Sequence, residues 1–207
     1  MNLFGIILEW IGTVSFAVSG AAVGMRKNMD LFGVAMLGVI TAVGGGVMRD
    51  ILLGMIPPVA FREPWYALTA GAVSMALFLP PVRRWLDRRK VGFERVQLLA
   101  DSVGLGIFVV CGVQVVMQTE YHDAFFLSLF VAVISGVGGG VLRDVLAGDR
   151  PYIFLKHIYA CAAMVGAVLC ILLWPLAGEQ ISMAVGCMVI LTIRLCSARF
   201  HWNLPHA

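Results

Sequence analysis

Long apolar stretches separated by short polar segments make up most of this 207-residue chain. A helix that crosses a lipid bilayer needs about 20 mainly apolar residues. By that criterion the pattern predicts an all-α membrane protein with seven membrane-spanning helices. The predicted spans cover 4–24, 31–53, 64–82, 96–117, 124–147, 153–174 and 180–198.

Composition supports lipid as the main solvent of the chain. Hydrophobic residues make up 60% of it and charged residues only 13%, whereas about a quarter of the residues in a soluble domain are charged. So few charges do not cover a water-facing surface. We therefore expect an integral membrane protein.

Basic residues in the loops predict the orientation of the spans. When the loops are assigned alternately to the two sides, 12 of the 15 Lys and Arg residues fall on one side. Only Arg62 falls on the other side, and Arg49 and Arg143 lie inside spans. Since cytoplasmic loops carry the excess of basic residues, the N-terminus is expected outside and the C-terminus in the cytoplasm. The cytoplasmic group includes Arg194 and Arg199 near the C-terminus.

One motif occurs twice in the chain. GGGVMRD occupies residues 44–50 and GGGVLRD occupies residues 138–144. Neighbouring residues also match, at an offset of 92 around Glu9 and Asp101, 94 around the motifs, and 93 around Tyr66 and Tyr159.

The repeat covers three spans, so its second copy enters the membrane from the opposite side, as in inverted-repeat transporters. The predicted organisation is a first repeat at 1–82, a basic cytoplasmic linker at 83–95, a second repeat at 96–174, and a seventh helix with a short tail at 175–207. The seventh helix has no counterpart and is expected outside the symmetric core. The basic run of the linker either signals topology or contacts anionic lipid head groups.

The glycine triplets are the candidate working parts of spans two and five. Each glycine weakens a helix by about 1 kcal/mol relative to Ala, so we expect these helices to break at the triplets and to meet near the midplane. Hydroxyls one turn before the triplets would face the same lumen, although helix packing alone also explains such glycines. The candidate pore and hinge residues are Gly44, Gly45, Gly46, Gly138, Gly139, Gly140, Thr41 and Ser135.

Charged residues inside the spans need partners, because each costs roughly 2.5–3.5 kcal/mol near the middle of a membrane helix. Matching their depths pairs Glu9 with Arg49 and Asp101 with Arg143. The adjacent carboxylates offer a competing arrangement. The candidate charged motif comprises Glu9, Arg49, Asp50, Asp101, Arg143 and Asp144, and its members either line the pathway or hold the fold beside it.

Motifs for other kinds of chemistry are missing from the sequence. The glycine run at 136–140 lacks the GK[ST] ending of a phosphate-binding loop. The five cysteines lie in apolar stretches without metal-binding spacing. We expect no enzyme activity, no metal site, no cofactor and no nucleic-acid partner.

Two three-span repeats, each with GGG-x-x-Arg-Asp, plus a seventh span in about 200 residues resemble the bacterial members of the trimeric intracellular cation (TRIC) channel family. The resemblance implies a homotrimer in the bacterial inner membrane, surrounded by lipid, with a pore for potassium and sodium in each protomer. It also implies that spans two and five kink at their triplets.

Three functions are compatible with these features. The first is a passive cation channel, with weak selectivity among monovalent cations because arginines flank the pathway. The second is a secondary transporter for a small amino acid such as glycine, since inverted repeats also suit alternating access. The third is a membrane assembly or a lipid-binding protein that conducts no ions.

Overall fold

The computed structural model describes residues 3–82, 93–155 and 158–200. All regular elements within these ranges are helices. They are α1 (Leu3–Arg26), α2 (Leu31–Leu52), α3 (Val59–Arg62), α4 (Trp65–Phe78), α5 (Phe93–Met117), α6 (Phe125–Leu146), α7 (Tyr152–Leu155) and α8 (Ile158–Phe200). By length and composition, α1, α2, α5, α6 and α8 are able to cross a membrane, and α4 is a shorter apolar helix. The all-α membrane class is confirmed, whereas the count of seven spans and the orientation remain predictions.

Three predicted boundaries differ from the structure. The third span is predicted to reach residue 82, but α4 ends at Phe78 and the helical conformation resumes only at residues 80–82. The interruption is at Leu79, which precedes Pro80, because a residue before proline avoids the helical conformation. The short helix α7 occupies the expected start of span six, and α8 begins only at Ile158. Residues 93–95 of the predicted linker belong to α5, while 83–92 lie outside the described residues.

Helix α8 contains a sharp break. Gly178 has φ 77° and ψ 172°, three residues after Pro175, and a positive φ of this size favours glycine. The two segments fold back on each other, since a Cβ on Gly186 would lie 3.0 Å from the Gly166 carbonyl oxygen. The break falls in the gap between predicted spans six and seven.

Helices α2 and α6 end in the same way. Gly54 and Gly148, at matching places in the repeat, have φ of 69° and 72°. The residue after each of them donates its N–H to the carbonyl five positions earlier, at 2.8 Å from Met55 to Asp50 and at 2.9 Å from Asp149 to Asp144. These are the glycine-dependent bonds of a Schellman cap. They stop each long helix directly after its Arg-Asp pair.

The core forms where the two repeats meet. Helix α1 packs against α5, and α2 packs against α6. The rings of Phe16 and Phe108, which match in the repeat, stack with centroids 5.1 Å apart. After the break in α8, Met183 and Ile190 join the apolar cluster around α5. The seventh helix thus helps to bury α5 although it has no counterpart in the repeat, and its place outside the symmetric core stays a prediction.

Candidate functional site

Glu9, Arg49 and Asp50 form what we call the first cluster. Arg49 donates from Nε to Asp50 Oδ1 at 2.8 Å and from Nη1 to Glu9 Oε1 at 3.4 Å. Tyr66 of α4 donates its hydroxyl to the other Glu9 oxygen at 3.1 Å. All three charged residues are buried. The predicted pair of Glu9 with Arg49 and the alternative pair of Arg49 with Asp50 are therefore both present, because the guanidinium bridges the two carboxylates.

Asp101, Arg143 and Asp144 form the second cluster on the same plan. Arg143 donates from Nε to Asp144 Oδ1 at 2.8 Å and from Nη1 to Asp101 Oδ1 at 2.6 Å. The same Nη1 is 2.6 Å from the hydroxyl of Ser19 on α1. Asp101 and Arg143 are both 0% exposed. The predicted pairing of these two residues is confirmed.

The aspartate of each motif also holds a short helix. The second oxygen of Asp50 accepts the N–H of Val59, the first residue of α3, at 2.8 Å. The second oxygen of Asp144 accepts the N–H of Tyr152, the first residue of α7, at 2.9 Å. Hydrogen bonds to a charged group are stronger than neutral ones. Each Arg-Asp pair therefore fixes the chain that returns over the end of its long helix.

The glycine triplets bring α2 and α6 into contact. A Cβ on Gly45 would lie 2.1 Å from the Ser135 carbonyl oxygen, and a Cβ on Gly139 would lie 2.1 Å from the Thr41 carbonyl oxygen. Since Thr41 and Ser135 match in the repeat, the contacts are reciprocal, as a local two-fold axis requires. Only glycine permits this approach of the two backbones.

The predicted break at the triplets does not occur. Helix α2 runs unbroken from Leu31 to Leu52, and α6 from Phe125 to Leu146. Close packing of the two backbones offsets the intrinsic cost of glycine in a helix, which agrees with the alternative packing role of these glycines. The predicted meeting of the two triplets is confirmed.

The two hydroxyls before the triplets are packed between helices. Thr41 donates to the Leu37 carbonyl of its own helix at 2.6 Å. Both Thr41 and Ser135 are 0% exposed. A common lumen for them thus remains a prediction.

A cavity of about 40 Å³ adjoins the first cluster. Gly46 forms part of its wall, and its polar lining comes from Glu9, Thr13, Arg49, Asp50 and Tyr66. A cavity of this size with several polar partners accommodates water. The carboxylates of this cluster outnumber its single arginine, so the formal charge beside the cavity is negative.

Arg194 closes the second cluster. The pattern of basic loops predicts it in a cytoplasmic loop, but it lies inside α8 and is 2% exposed. Its Nη2 is 3.7 Å from Asp101 Oδ2, and its guanidinium lies 4.6 Å from the centre of the Tyr159 ring. The signal was present, since residue 194 falls within the predicted span 180–198. Arg194 balances the second carboxylate, so the formal charge of this cluster with Arg194 is zero.

Tyr66, Ser19 and Tyr159 were also missed as site residues. The matching of Tyr66 with Tyr159 in the repeat is the available signal, because each lies within its charge cluster. Tyr66 donates to Glu9, and the Tyr159 ring lies against the guanidinium of Arg194. No comparable signal marked Ser19. The cysteines Cys111, Cys161, Cys170, Cys187 and Cys196 are all free.

Comparison with known proteins gives one consistent family. A model described as "Glycine transporter" matches residues 6–80 and 98–175. A UPF0126 membrane protein of Deinococcus radiodurans is 37% identical over 96% of this chain and 89% of its own length. The UPF0126 inner membrane protein YadS of Escherichia coli K12 is 37% identical over 96% of this chain and 93% of its own length.

Solved structures of TRIC channels are also similar to this chain over nearly its whole length. A prokaryotic TRIC channel in 0.5 M KCl superimposes with a TM-score of 0.88 at 32% identity, covering 99% of this chain and all of the other. The TRIC trimeric intracellular cation channel orthologue from Rhodobacter sphaeroides gives 0.86 at 32% identity, covering 97% of this chain and all of the other.

Proposed function

The chain belongs to the membrane-protein family that the glycine-transporter model describes and that includes the bacterial TRIC channels, and on this premise we propose that it is a cation channel. We propose further that it passes potassium and sodium through a pore within each protomer. Its location is the bacterial inner membrane, as for the Escherichia coli relative. The observation that carries the proposal is the similarity to TRIC channel structures over nearly the whole chain.

The first cluster and its cavity are the proposed mouth of the pore. Glu9 and Asp50 give this region its negative formal charge, which attracts cations, while Arg49 keeps it from binding one cation tightly. Weak selectivity among monovalent cations follows, because nothing there resembles a rigid ring of carbonyl ligands.

The contact between α2 and α6 is the proposed gate. The central glycines press against opposite backbones, so no ion passes between them in this conformation. Separation of the two helices at the triplets would open a path that Thr41 and Ser135 line. The triplets thus act as a sliding contact between intact helices.

We also propose a homotrimer, since the Rhodobacter relative is described as a trimeric channel. Lipid-facing residues of the trimer would include many of the large exposed apolar side chains on α1, α2 and α6. Exposed apolar side chains are expected on a surface that contacts lipid.

Single-channel recording of the purified protein in planar bilayers with a potassium chloride gradient tests the proposal. Discrete steps that reverse near the potassium equilibrium potential are expected. A Gly46→Val variant should lower the unitary conductance because its side chain fills the cavity. Gly71→Val is the matched control, since Gly71 lies on α4 and does not line the cavity. Silent bilayers with verified reconstitution would overturn the channel.

The second candidate is a transporter for a small amino acid. The description of the matching family model favours it, and the two matched segments cover both repeats. Counter-flow of labelled glycine in liposomes, saturable and without unitary current steps, would support the carrier over the channel.

A further inference from the structure

A second pocket, of about 380 Å³, lies beside the first cluster on the face predicted to be outside. Its lining consists of Ile6, Glu9, Trp10, Val59, Glu63, Trp65 and Tyr66. Three aromatic rings and two carboxylates therefore face one space. We propose that this pocket binds an alkylammonium group.

The rings provide the faces that such a cation needs. Trp10 and Tyr66 lie with their ring centres 4.8 Å apart and their planes inclined by 33°, which gives the pocket a wall of two adjacent aromatic rings. Trp65, 64% exposed, contributes a third indole at the open side. Organic ammonium ions are attracted to aromatic faces through the ring quadrupole, most strongly to tryptophan.

The carboxylates give the pocket its charge. Glu63 is exposed, and its carboxylate forms no ion pair with any residue that the structure describes. Glu9 is shared with Arg49, which neutralises one carboxylate of the first cluster. The neighbouring Arg62 does not line the pocket and donates instead to the Pro57 carbonyl at 2.7 Å. An uncompensated negative charge thus adjoins the rings.

The size of the pocket fits a small ligand. Ligand sites commonly have about 300–1,000 Å³, and this pocket is at the lower end of that range. It shares Glu9, Val59 and Tyr66 with the smaller cavity at the first cluster. An occupant would therefore sit at the entrance of that cavity, and the proposal about binding stands whether or not the cavity conducts ions.

The pocket is not a product of the repeat. The positions that match Trp10, Glu63 and Trp65 in the second half are Ser102, Lys156 and Ile158. Only Tyr66 keeps its ring, as Tyr159. Two aromatic rings and a carboxylate are thus particular to the first half, so the fold alone does not require them.

An alkylammonium group is available from two sources, a water-soluble amine and the head group of phosphatidylethanolamine. Trp65 begins α4, and tryptophan is common at the membrane interface. The pocket is therefore accessible to either source. Binding in bilayers with and without this lipid separates the two sources.

Binding of radiolabelled tetramethylammonium to purified protein, by scintillation proximity at constant ionic strength, tests the proposal. Saturable binding is expected. Trp65→Leu should weaken it about three- to tenfold, whereas Trp65→Phe should retain most of it. Glu63→Gln should weaken it about two- to fivefold. Both positions are exposed, so unchanged melting and oligomeric state should accompany these losses.

Matched controls come from the same chain. Phe154→Leu and Glu120→Gln remove an exposed aromatic ring and an exposed carboxylate that do not line the pocket, and both should bind like the parent. In nanodiscs with the same share of phosphatidylglycerol, weaker binding when the second lipid is phosphatidylethanolamine than when it is an uncharged glycolipid would identify the lipid head group as occupant. Equal binding would identify a soluble amine.

Three results would overturn the proposal. The first is an absence of saturable binding, and the second is equal binding by the parent and Trp65→Leu, as for a tryptophan that only anchors the interface. The third is dissociation of the oligomer by Trp65→Leu, which would make the pocket a contact between copies of the chain.

Discussion

The two charge clusters have the same internal geometry and different surroundings. In both, the arginine Nε lies 2.8 Å from the next residue's carboxylate, and that aspartate also accepts a backbone N–H from a short helix. The first cluster faces a cavity and has a long contact of 3.4 Å between Arg49 and Glu9. In the second, Arg143 is 2.6 Å from Asp101, and Arg194 lies beside them.

This comparison separates what the fold requires from what a function uses. The Arg-Asp geometry is common to both halves and closes the ends of α2 and α6, so it belongs to the fold. The cavity and the negative formal charge belong to the first half alone. Removing one partner of a buried ion pair is costly because it leaves an uncompensated charge away from water. The charges of the second cluster balance within a site that has no such cavity beside it among the described residues, although Asp101 Oδ2 and Arg194 Nη2 form no hydrogen bond there. In the first cluster the adjoining cavity is large enough for water to solvate an unbalanced charge.

The largest expected effect comes from removing the arginine of each cluster in turn. Arg143→Gln leaves two buried carboxylates without their main partner, which costs about 3–5 kcal/mol of unfolding free energy. Arg49→Gln should cost about 1–3 kcal/mol, because the cavity admits water and Tyr66 still donates to Glu9. The apparent melting temperatures of the purified variants in detergent, measured at one heating rate, check the difference.

Arg150→Gln is the control for this pair, since Arg150 is exposed and its loss should change melting little. Equal losses of stability from Arg49→Gln and Arg143→Gln would show that the cavity does not hydrate the first cluster. The proposed difference between the two clusters would then be wrong.

A smaller effect is expected from Arg194, the residue that makes the clusters unequal. Arg194→Gln gives the second cluster the same formal charge as the first. Arg194 is 3.7 Å from Asp101, beyond direct hydrogen-bond distance, so we expect a loss of about 1–3 kcal/mol. Much of that loss should disappear in an Asp101→Asn background, which a double-mutant cycle of melting measures.

Arg199→Gln removes an equal charge from the exposed end of the same helix and serves as the control. If the losses from Arg194→Gln and Asp101→Asn were simply additive, Arg194 would not belong to the second cluster. Single-channel recording adds a functional measurement, because the extra negative charge should raise the preference for cations over chloride.

Much of the fold was predictable because membrane helices are coded locally. Lengths of apolar sequence gave α1, α2 and α6 to within a few residues, and the doubled motif predicted that α2 and α6 meet. The pairing of Glu9 with Arg49 also followed, since depth in the membrane leaves a buried charge few partners.

The remaining features depend on tertiary contacts that composition does not encode. Propensity predicted that the triplets break the helices, but Gly45 and Gly139 fit against opposite backbones and the helices continue. Arg194 is predicted in a loop because it lies near the end of the last predicted span. Its position in the sequence does not show whether its side chain points inward or toward water. The pocket at Trp65 combines residues from three segments, and only the folded chain brings them together.

The smallest expected effect concerns the last glycine of each triplet. A Cβ on Gly46 would meet nothing closer than Arg49 Nη2 at 3.8 Å, whereas a Cβ on Gly140 would lie 3.0 Å from the Tyr159 hydroxyl. Gly46→Ala should therefore leave melting unchanged or raise stability by up to about 1 kcal/mol, since Ala favours the helix. Gly140→Ala should raise stability by less than this or lower it slightly, because Tyr159 must shift within a packed site.

Melting of both variants checks this order, with Gly45→Ala as a positive control that should destabilise clearly, because its Cβ would lie 2.1 Å from a backbone oxygen. A stabilised Gly46→Ala protein with reduced conductance would mean that this glycine is kept for the width of the cavity at the expense of helix stability. A destabilised one would mean that the first half is packed as tightly as the second, and the asymmetry between the clusters would then rest on Arg194 alone.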